Sequence, residues 1–400
     1  MLGQILKIKK LLENRLLPVL PRPISRFGYD VTRGIDLRNL RSLTAQHPMA
    51  LLATNDLSLS GAPRIVLEMA TILKQCGYAV VLVSMADGPM RCEFEALGVF
   101  VLIDCYPQSD KPYLLELGRL ADFAIANTVV TANIALAWAS CVKTFWYLHE
   151  VSLLSKMLSK ESIIKALNAV SKVWAGSGLC AGIVRDFRTD VDVFPYGVPP
   201  VEPPKDGASK PAFCIGVFGS IELRKGQDYV VDAVRMLDQT TLNGLKVDFY
   251  GRVLDRSFAH KLMKRANGYP MIGFHGELSR GDYLESIKGC DAILVSSRDD
   301  TLPLVSLDAL SAKRMLLLTP SVGTAAWLTD GVDALIAADT SSTAVCDLIK
   351  RATAEQNNAW QIGEAGRHTF ERHFSQTAFR KEIISKLGIE GKYELGDKGR

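Results

Sequence analysis

Residues 213–233 read FCIGVFGSIELRKGQDYVVDA, and this stretch contains the local pattern that decides the fold. An apolar run of strand length ends at Gly219, two cations follow at Arg224 and Lys225, and a helical pattern begins near residue 226. A strand, a glycine-containing turn and a helix in this order are typical of a parallel sheet covered by helices. The stretch therefore predicts the first strand and helix of an α/β domain.

The same alternation of apolar runs with segments of helical length extends in both directions along the chain. It starts at residue 48 with runs such as MALLAT, AVVLVS and TFWYLHE, and it continues after residue 233 with KVDFYG, DAILVSS and RMLLLTP. Residues 198–212, VPPVEPPKDGASKPA, hold five prolines between the two series, which is typical of an interdomain linker. The sequence therefore predicts the α/β class, with two Rossmann-like domains that face each other across a cleft.

This pattern divides the chain into five parts. The predicted bounds are 1–45 for a basic N-terminal segment, 46–198 for the first domain, on the acceptor side, 199–212 for the linker, 213–375 for the second, nucleotide-binding domain, and 376–400 for a last helix and tail. Ligands of open α/β sheets bind beyond the carboxyl ends of the strands. We therefore expect the site to lie in the loops that face the cleft.

The composition is that of an ordinary folded chain, with 48% hydrophobic and 22% charged residues. Residues 1–45 hold nine Lys/Arg against three Asp/Glu, so the positive charge belongs to this segment, and we expect no nucleic-acid partner for the domains. The eight cysteines and six histidines show no metal-ligand spacing. We expect reduced cysteines, a cytoplasmic location and no bound metal.

The N-terminal segment MLGQILKIKKLLENRLLPVLPRP places most of its leucines and isoleucines on one side of a helix, with Lys7, Lys10 and Arg15 largely opposite. Two interpretations stay open. The helix lies on an anionic membrane surface, which would make the protein peripheral to the inner face of the plasma membrane, or it packs on the protein itself. We expect no transmembrane helix, because no apolar run reaches ~18 residues.

The loop after the first strand of the second domain has the features of an anion site. Gly219 lets the backbone approach a ligand closely, and Arg224 and Lys225 lie just ahead of a helix N-terminus. Arginine can bind two phosphate oxygens at once, and lysine adds a point charge. The alternative is a solvated basic turn that binds nothing.

The segment SSRDDTLPLVSLDALSAKR, residues 296–314, places an aspartate inside an apolar helical pattern. Asp300 is explained most simply as a helix cap, with Pro303 in the first turn of the helix. Asp308 lies two turns further on and is expected to be buried, and a buried carboxylate needs hydrogen-bond donors. Two kinds of partner stay open: the two hydroxyls of a ribose, or a backbone or basic group of the protein.

Three weaker features follow other predicted strands. Residues 321–324 open a short helix, so their N–H groups and Thr324 are candidates for contact with a second phosphate. Gly61 lies among small residues between a strand and a helix, which leaves room for a ligand. His149 follows the strand TFWYL, where it either binds a sugar hydroxyl or phosphate oxygen or serves as a structural residue.

In this order, the loops resemble those of family 4 of the retaining nucleotide-sugar glycosyltransferases, which have the GT-B fold, and in particular the bacterial polysaccharide and O-antigen enzymes. The resemblance covers roughly residues 48–386 and rests on NDLSLSGAP, YLHE, PYGV, GSIELRKGQD and the segment 296–314. Each motif is loose, but five in the correct order are specific. Two glutamates of the family, eight residues apart, fall on Asp300 and Asp308, which are one methylene shorter.

The resemblance implies catalytic roles for His149, Asp300 and Lys225. Lys225, with Arg224, would stabilise the departing diphosphate, His149 would orient the donor sugar, and Asp300 would hold the sugar hydroxyls. Asp308 would hold the nucleotide ribose. The residues implied in donor binding are Gly61, Gly219, Ser220, Arg224, Lys225, Asp300, Thr301, Leu302, Pro303, Leu304 and Asp308.

The reaction implied by the resemblance is transfer of a hexosyl group from a nucleoside-diphosphate sugar to a hydroxyl of a glycan or a polyprenyl-linked acceptor. It would proceed with retention and without a metal or another cofactor. Two alternatives stay open. One is a nucleotide-sugar epimerase with the same fold, and the other is a donor-binding scaffold subunit of a polysaccharide assembly complex, whose turnover the two shortened acids would have weakened.

Overall fold

The computed structural model describes residues 47–204 and 212–389, and these residues form two parallel sheets packed between helices. The predicted α/β architecture with two Rossmann-like domains is therefore confirmed. The predicted basic segment 1–45, residues 205–211 of the predicted linker and the tail from residue 390 lie outside the described residues.

The first domain contains seven strands and seven α-helices. Its strands are β1 (Met49–Thr54), β2 (Ala79–Ser84), β3 (Phe100–Ile103), β4 (Phe123–Asn127), β5 (Thr144–Leu148), β6 (Lys172–Ala175) and β7 (Val191–Val193). Its helices are α1 (Gly61–Gln75), α2 (Arg91–Ala96), α3 (Pro112–Leu120), α4 (Ala132–Ala139), α5 (Ser152–Met157), α6 (Glu161–Ala169) and α7 (Gly178–Arg185). The strand order is β3-β2-β1-β4-β5-β6-β7.

The second domain follows the same plan with six strands. These are β8 (Phe213–Phe218), β9 (Leu245–Tyr250), β10 (Ile272–Phe274), β11 (Ala292–Val295), β12 (Met315–Leu318) and β13 (Leu335–Ile336). Its helices are α8 (Gln227–Met236), α9 (Gln239–Asn243), α10 (Arg256–Ala266), α11 (Arg280–Gly289), α12 (Leu304–Ser311), α13 (Ser342–Ala354) and α14 (Ala359–His373). The strand order is β10-β9-β8-β11-β12-β13.

The apolar composition of the strands explains this architecture. Every residue of β1 and β2 is buried, as expected for strands covered by helices on both faces. In each sheet the strand order reverses beside the first strand of the domain, between β1 and β4 and between β8 and β11. A reversal of this kind opens a crevice at the carboxyl ends of the strands, and this position is where ligands bind in such sheets.

The end of the chain returns to the first domain. Helix α15 (Gln376–Leu387) packs on α1, where Gln376 Nε2 donates to Glu68 Oε2 at 2.7 Å and Arg380 contacts Gln75. The described start of the predicted linker also packs on the protein, since Val201 is buried and its N–H donates to Ser311 Oγ. No helix in the two described ranges is both long and apolar enough to cross a membrane.

Candidate functional site

The two domains contact each other at the residues that the sequence assigned to donor binding. A Cβ added to Gly61, at the start of α1, would lie 3.7 Å from Leu304 Cδ1, at the start of α12. A Cβ added to Gly176, after β6, would lie 3.2 Å from His149 Cβ and 3.7 Å from Thr301 Cγ2. Candidate residues from both halves of the chain therefore line the same part of the cleft.

Two glycines shape the loop between β8 and α8. Gly226 has a φ of 66°, and a Cβ at this position would lie 2.0 Å from the Ser296 carbonyl oxygen. Only glycine fits there without displacing the backbone. Gly219 has a φ of 134°, and the stem of Lys225 runs beside it, with Cε 3.7 Å from where a Cβ would stand. The loop therefore directs Lys225 across the end of β8.

Lys225 and Arg224 both contact Asp300. Lys225 Nζ donates to Asp300 Oδ2, and Arg224 Nη1 lies 3.5 Å from the same oxygen. Arg224 also donates to the Asp299 carbonyl at 3.0 Å and to Glu222 Oε1 at 3.2 Å. The three charged residues that the sequence assigned to the diphosphate and the donor sugar thus form one cluster. The alternative, a basic turn that binds nothing, stays open beside the diphosphate site.

Arg298 is a structural support of this cluster that sequence reasoning missed. Its guanidinium donates to both carboxylate oxygens of Asp228, at 2.8 and 2.7 Å, and to the Leu223 carbonyl at 2.6 Å. It also lies 3.9 Å from the ring centroid of Tyr229. The hydrogen bonds that Arg298 donates to Asp228 raise the pKa of Arg298. Arg298 therefore connects the loop that carries Arg224 and Lys225 to the start of α8. The segment SSRDD shows only that residue 298 is basic, and it does not show that its partner is Asp228.

Asp308 has partners inside the protein. It is 2% exposed, and its Oδ2 accepts hydrogen bonds from the Tyr283 hydroxyl at 2.8 Å and from Arg280 Nη1 at 3.2 Å. Burial raises the pKa of Asp308, although Arg280 and Tyr283 act in the opposite direction. The structure therefore supplies the basic partner that the sequence left open as one alternative. Neither of these two bonds involves Oδ1.

The segment before α12 differs from its predicted form in one respect. The helix begins at Leu304 and Pro303 is the residue before it, so Asp300 is not the helix cap that its position suggested. The backbone of Asp300 instead pairs with the neighbouring loop, where Gly323 N–H donates to the Asp300 carbonyl at 2.8 Å. Thr301, Leu302 and Pro303 are buried beneath the cleft. The side chain of Asp300 is thereby left to face the cations.

The loop of residues 321–324 packs against the segment that carries Asp300, and its Thr324 hydroxyl does not face the cleft. The Thr324 side chain is completely buried, and its hydroxyl bonds to Ser306 Oγ at 2.7 Å. Ser321 Oγ donates to the Ser297 carbonyl at 2.6 Å. The expected second phosphate contact of Thr324 is therefore wrong, because the buried hydroxyl already has a protein partner.

His149 is held in one orientation by Asn127. The amide Nδ2 of Asn127 donates to the Ala62 carbonyl at 3.2 Å, so its Oδ1 faces His149 Nε2, at 3.0 Å. We infer from these partners that Nε2 carries the proton and that Nδ1 is the ring nitrogen with a free lone pair. Ala62 follows Gly61, so this chain of bonds links the two candidate residues of the first domain.

Ser220 lies beside the cluster but is turned towards the protein. Its hydroxyl donates to Glu222 Oε1 at 2.8 Å, the same oxygen that accepts from Arg224. Ser220 therefore positions Glu222, and through it Arg224.

On the other side of the cleft, the buried Tyr196 hydroxyl donates to the Leu302 carbonyl. This bond fixes the segment that carries Asp300.

Comparisons with known proteins cover both domains. Residues 49–182 match the model of "Glycosyl-transferase family 4", and residues 201–369 match that of "Glycosyl transferases group 1". A glycogen synthase from Thermodesulfovibrio yellowstonii is 29% identical over 186 residues, which are 45% of this chain and 36% of that protein. The chain thus spans little more than a third of the length of this curated relative.

Solved structures share the whole two-domain architecture. HepE from Anabaena, solved with UDP and glucose, superposes with a TM-score of 0.71 at 15% identity over 86% of this chain and 100% of its own. A glycosyltransferase from Rickettsia africae gives a TM-score of 0.71 at 16% identity over 86% and 99%. The two family models together cover most of both domains, so the chain belongs to the family 4 glycosyltransferases and has the GT-B fold.

Proposed function

We propose that this glycosyltransferase transfers a hexosyl group from a nucleoside-diphosphate sugar to a hydroxyl of a glycan or polyprenyl-linked acceptor, with retention at the anomeric carbon. The observation that carries the proposal is the cluster of Lys225, Arg224 and Asp300 beyond the carboxyl end of β8. Thr301, the residue after Asp300, and His149 of the other domain both lie beside Gly176. Relatives of the same fold have been solved with UDP and with UDP-glucose, which supports a donor of this class.

In the proposed reaction, Lys225 and Arg224 exchange Asp300 for the diphosphate of the donor. Preorganised cations stabilise the negative charge that develops on a leaving phosphate, and they do so without a metal ion. Asp300, released from the cations, accepts hydrogen bonds from hydroxyls of the donor sugar. His149 orients the same sugar, with Nδ1 as the acceptor that its bond to Asn127 leaves free.

Asp308 holds the nucleotide ribose in this proposal. Tyr283 and Arg280 occupy Oδ2, so the ribose hydroxyls are expected to approach Oδ1. The remaining donor-binding candidates are Gly61, which lies beside Leu304, and the segment 301–304, whose Thr301 shares the neighbourhood of Gly176 with His149. In this proposal they contact the sugar from both domains.

The acceptor side follows from the family resemblance and from the fold. We propose a role in bacterial polysaccharide or O-antigen synthesis, at the inner face of the plasma membrane. WaaB, a lipopolysaccharide outer core galactosyltransferase, shares the fold with a TM-score of 0.64 at 13% identity, which is compatible with this role. Membrane contact would involve residues 1–45, and flotation of the full chain and of a chain lacking them with anionic liposomes tests it.

The first experiment measures thermal unfolding with UDP-glucose, GDP-glucose and dTDP-glucose, which vary the base at constant sugar. A donor at a hundred times its dissociation constant adds ~2.7 kcal/mol to the unfolding free energy. We expect one nucleotide series to stabilise the wild type and the control Lys288→Ala, whose lysine pairs with Glu285 on the surface, but not Lys225→Ala. A shift that survives in Lys225→Ala contradicts the assigned diphosphate site.

The second experiment separates the transferase from its alternatives. Nucleotide release from the stabilising donor is measured with and without a lipid-linked oligosaccharide acceptor, and the anomer of the product is determined by NMR. Release that requires the acceptor and keeps the anomeric configuration supports a retaining transferase. Release without an acceptor indicates an epimerase, and donor binding without release indicates a scaffold subunit.

A further inference from the structure

Cys214 and Cys290 form a close thiol pair in the second domain, away from the cleft. Their sulfur atoms are 4.0 Å apart, although the residues are separated by 76 positions in the chain. Cys214 is the second residue of β8, and Cys290 follows the last residue of α11 and precedes β11. Both lie at the amino ends of their strands, whereas the cleft loops follow the carboxyl ends.

The backbone holds the two cysteines in place. Asp291, next to Cys290, donates its N–H to the Cys214 carbonyl at 2.8 Å, and its Oδ2 accepts from Cys214 N–H at 2.9 Å. These bonds belong to the pairing of β8 with β11, where Ile215 lies opposite Ala292. Bond formation between the sulfurs therefore requires mainly side-chain rotation, because the two main chains are already neighbours.

The surroundings distinguish the two thiols. Cys214 is partly exposed and Cys290 is 1% exposed, so a small oxidant in solution reaches Cys214 first. Lys246 Nζ is bonded to Asp248 Oδ2, and the same carboxylate oxygen is 3.8 Å from the Cys214 sulfur. The hydrogen bond with Cys290 lowers the pKa of the Cys214 thiol, against the effect of partial burial. Lys246 acts in the same direction as Cys290, whereas the carboxylates of Asp248 and Asp291 act against them. The pKa is lowered on balance, which favours the thiolate, the reactive form of cysteine.

We propose that Cys214 and Cys290 are a peroxide-sensitive pair that closes into a disulfide. The Cys214 thiolate attacks hydrogen peroxide, the O–O bond breaks, and a sulfenic acid and hydroxide form. The Cys290 sulfur then attacks the Cys214 sulfur, the S–O bond breaks, and the hydroxyl group leaves as water with the proton of the Cys290 thiol. Peroxide is reduced to water and hydroxide, and one thiolate and one thiol are oxidised to one disulfide.

The test treats the full chain with hydrogen peroxide, blocks the remaining thiols, digests the protein without reduction and maps the peptides by mass spectrometry. We expect a cross-linked pair of peptides that contain Cys214 and Cys290, and dithiothreitol should separate it. Exposed Cys92 serves as the matched control, because its sulfur bonds to the Pro89 carbonyl at 3.1 Å and has no thiol partner among its observed hydrogen bonds. Cys92→Ser should leave the cross-link unchanged.

The single variants make the order of events visible. In Cys290→Ser the sulfenic acid of Cys214 lacks its resolving thiol, so dimedone should label Cys214 at a higher level than in the wild type. In Cys214→Ser neither the cross-link nor dimedone labelling of Cys290 is expected. The proposal is overturned if peroxide oxidises Cys92 while Cys214 and Cys290 stay reduced, or if wild-type Cys214 proceeds to the sulfinic acid without a cross-link.

Discussion

The hydroxyl of Tyr283 can be removed to test how the Asp308 carboxyl group is stabilised inside the second domain. This hydroxyl donates to Asp308 Oδ2 at 2.8 Å, and the ring packs edge-on against Phe218 with a centroid distance of 5.4 Å. Tyr283→Phe deletes the hydroxyl and keeps the ring in its contact. Arg280 Nη1, at 3.2 Å, then remains as a donor to the same oxygen.

The expected loss of stability follows from the kind of bond removed. A hydrogen bond to a charged group contributes roughly 1.5–3 kcal/mol, and removal of the donor leaves part of a buried charge unsatisfied. We therefore expect Tyr283→Phe to lower the unfolding free energy by about 2 kcal/mol at neutral pH. If Asp308 holds the ribose, donor affinity should fall as well, because the carboxylate is less firmly positioned.

The pH dependence gives the sign of the electrostatic effect. Burial raises the pKa of Asp308 above that of the unfolded chain, so the stability associated with its protonation is present at low pH and is lost as the pH rises through the folded pKa. Tyr283→Phe removes a bond that favours the charged form and so raises this pKa further. The stability difference between wild type and variant should be larger at about pH 8 than at about pH 5.

Urea unfolding of both proteins at the two pH values measures this difference. Tyr113→Phe is the matched control, since the Tyr113 hydroxyl donates to the buried carboxylate of Asp104 at 2.6 Å in the first domain. We expect this control to lose stability by a similar amount and to keep donor affinity. An unfolding free energy of Tyr283→Phe equal to that of the wild type at both pH values would refute the reasoning.

Two further substitutions test the cationic loop. Gly226→Ala should lower the unfolding free energy, measured by urea unfolding, by more than ~2 kcal/mol, because the added Cβ would lie 2.0 Å from the Ser296 carbonyl oxygen. A variant as stable as the wild type would contradict the backbone conformation described for Gly226. Arg298→Lys removes the planar guanidinium whose two nitrogens bond the two oxygens of Asp228, so it should raise the donor KM at an almost unchanged kcat in steady-state kinetics. A fall in kcat alone would argue against a positioning role.

The fold could be predicted because the strands carry their own signal. Strands buried on both faces are continuous apolar runs, so MALLAT and AVVLVS identify β1 and β2 directly. The short helix α5 has no comparable signal, because six residues are too few to show a helical period, and contacts with the rest of the domain decide its conformation.

The candidate site could be located for a similar reason, whereas its internal contacts could not. Lys225 and Asp300 each follow a strand, and parallel strands deliver such residues to one edge of the sheet. The partners of Asp308 lie 25 and 28 residues earlier in the chain, on α11, and no local pattern links them to it. The register of α11 against α12, which brings Tyr283 to Asp308, is a property of packing between elements.

These contacts also bear on whether the two shortened acids indicate a degraded site. A degraded site would leave a buried aspartate without donors, yet Asp300 is contacted by three donor residues of its own domain and Asp308 by two. In two of the ion pairs the cation has the more exposed side chain: the Arg224 side chain is 42% exposed against 14% for that of Asp300, and the Arg280 side chain is 54% exposed against 3% for that of Asp308.

The exposed member of an ion pair is the one that can move at low cost, because water already solvates part of it. A donor that enters the cleft can therefore draw the cations towards its phosphates while the aspartates keep their backbone positions. In such an exchange the reach of the carboxylate matters less than the freedom of the cation. The shorter side chains at 300 and 308 are thus compatible with turnover, because the exposed side chains of Arg224 and Arg280 supply the movement.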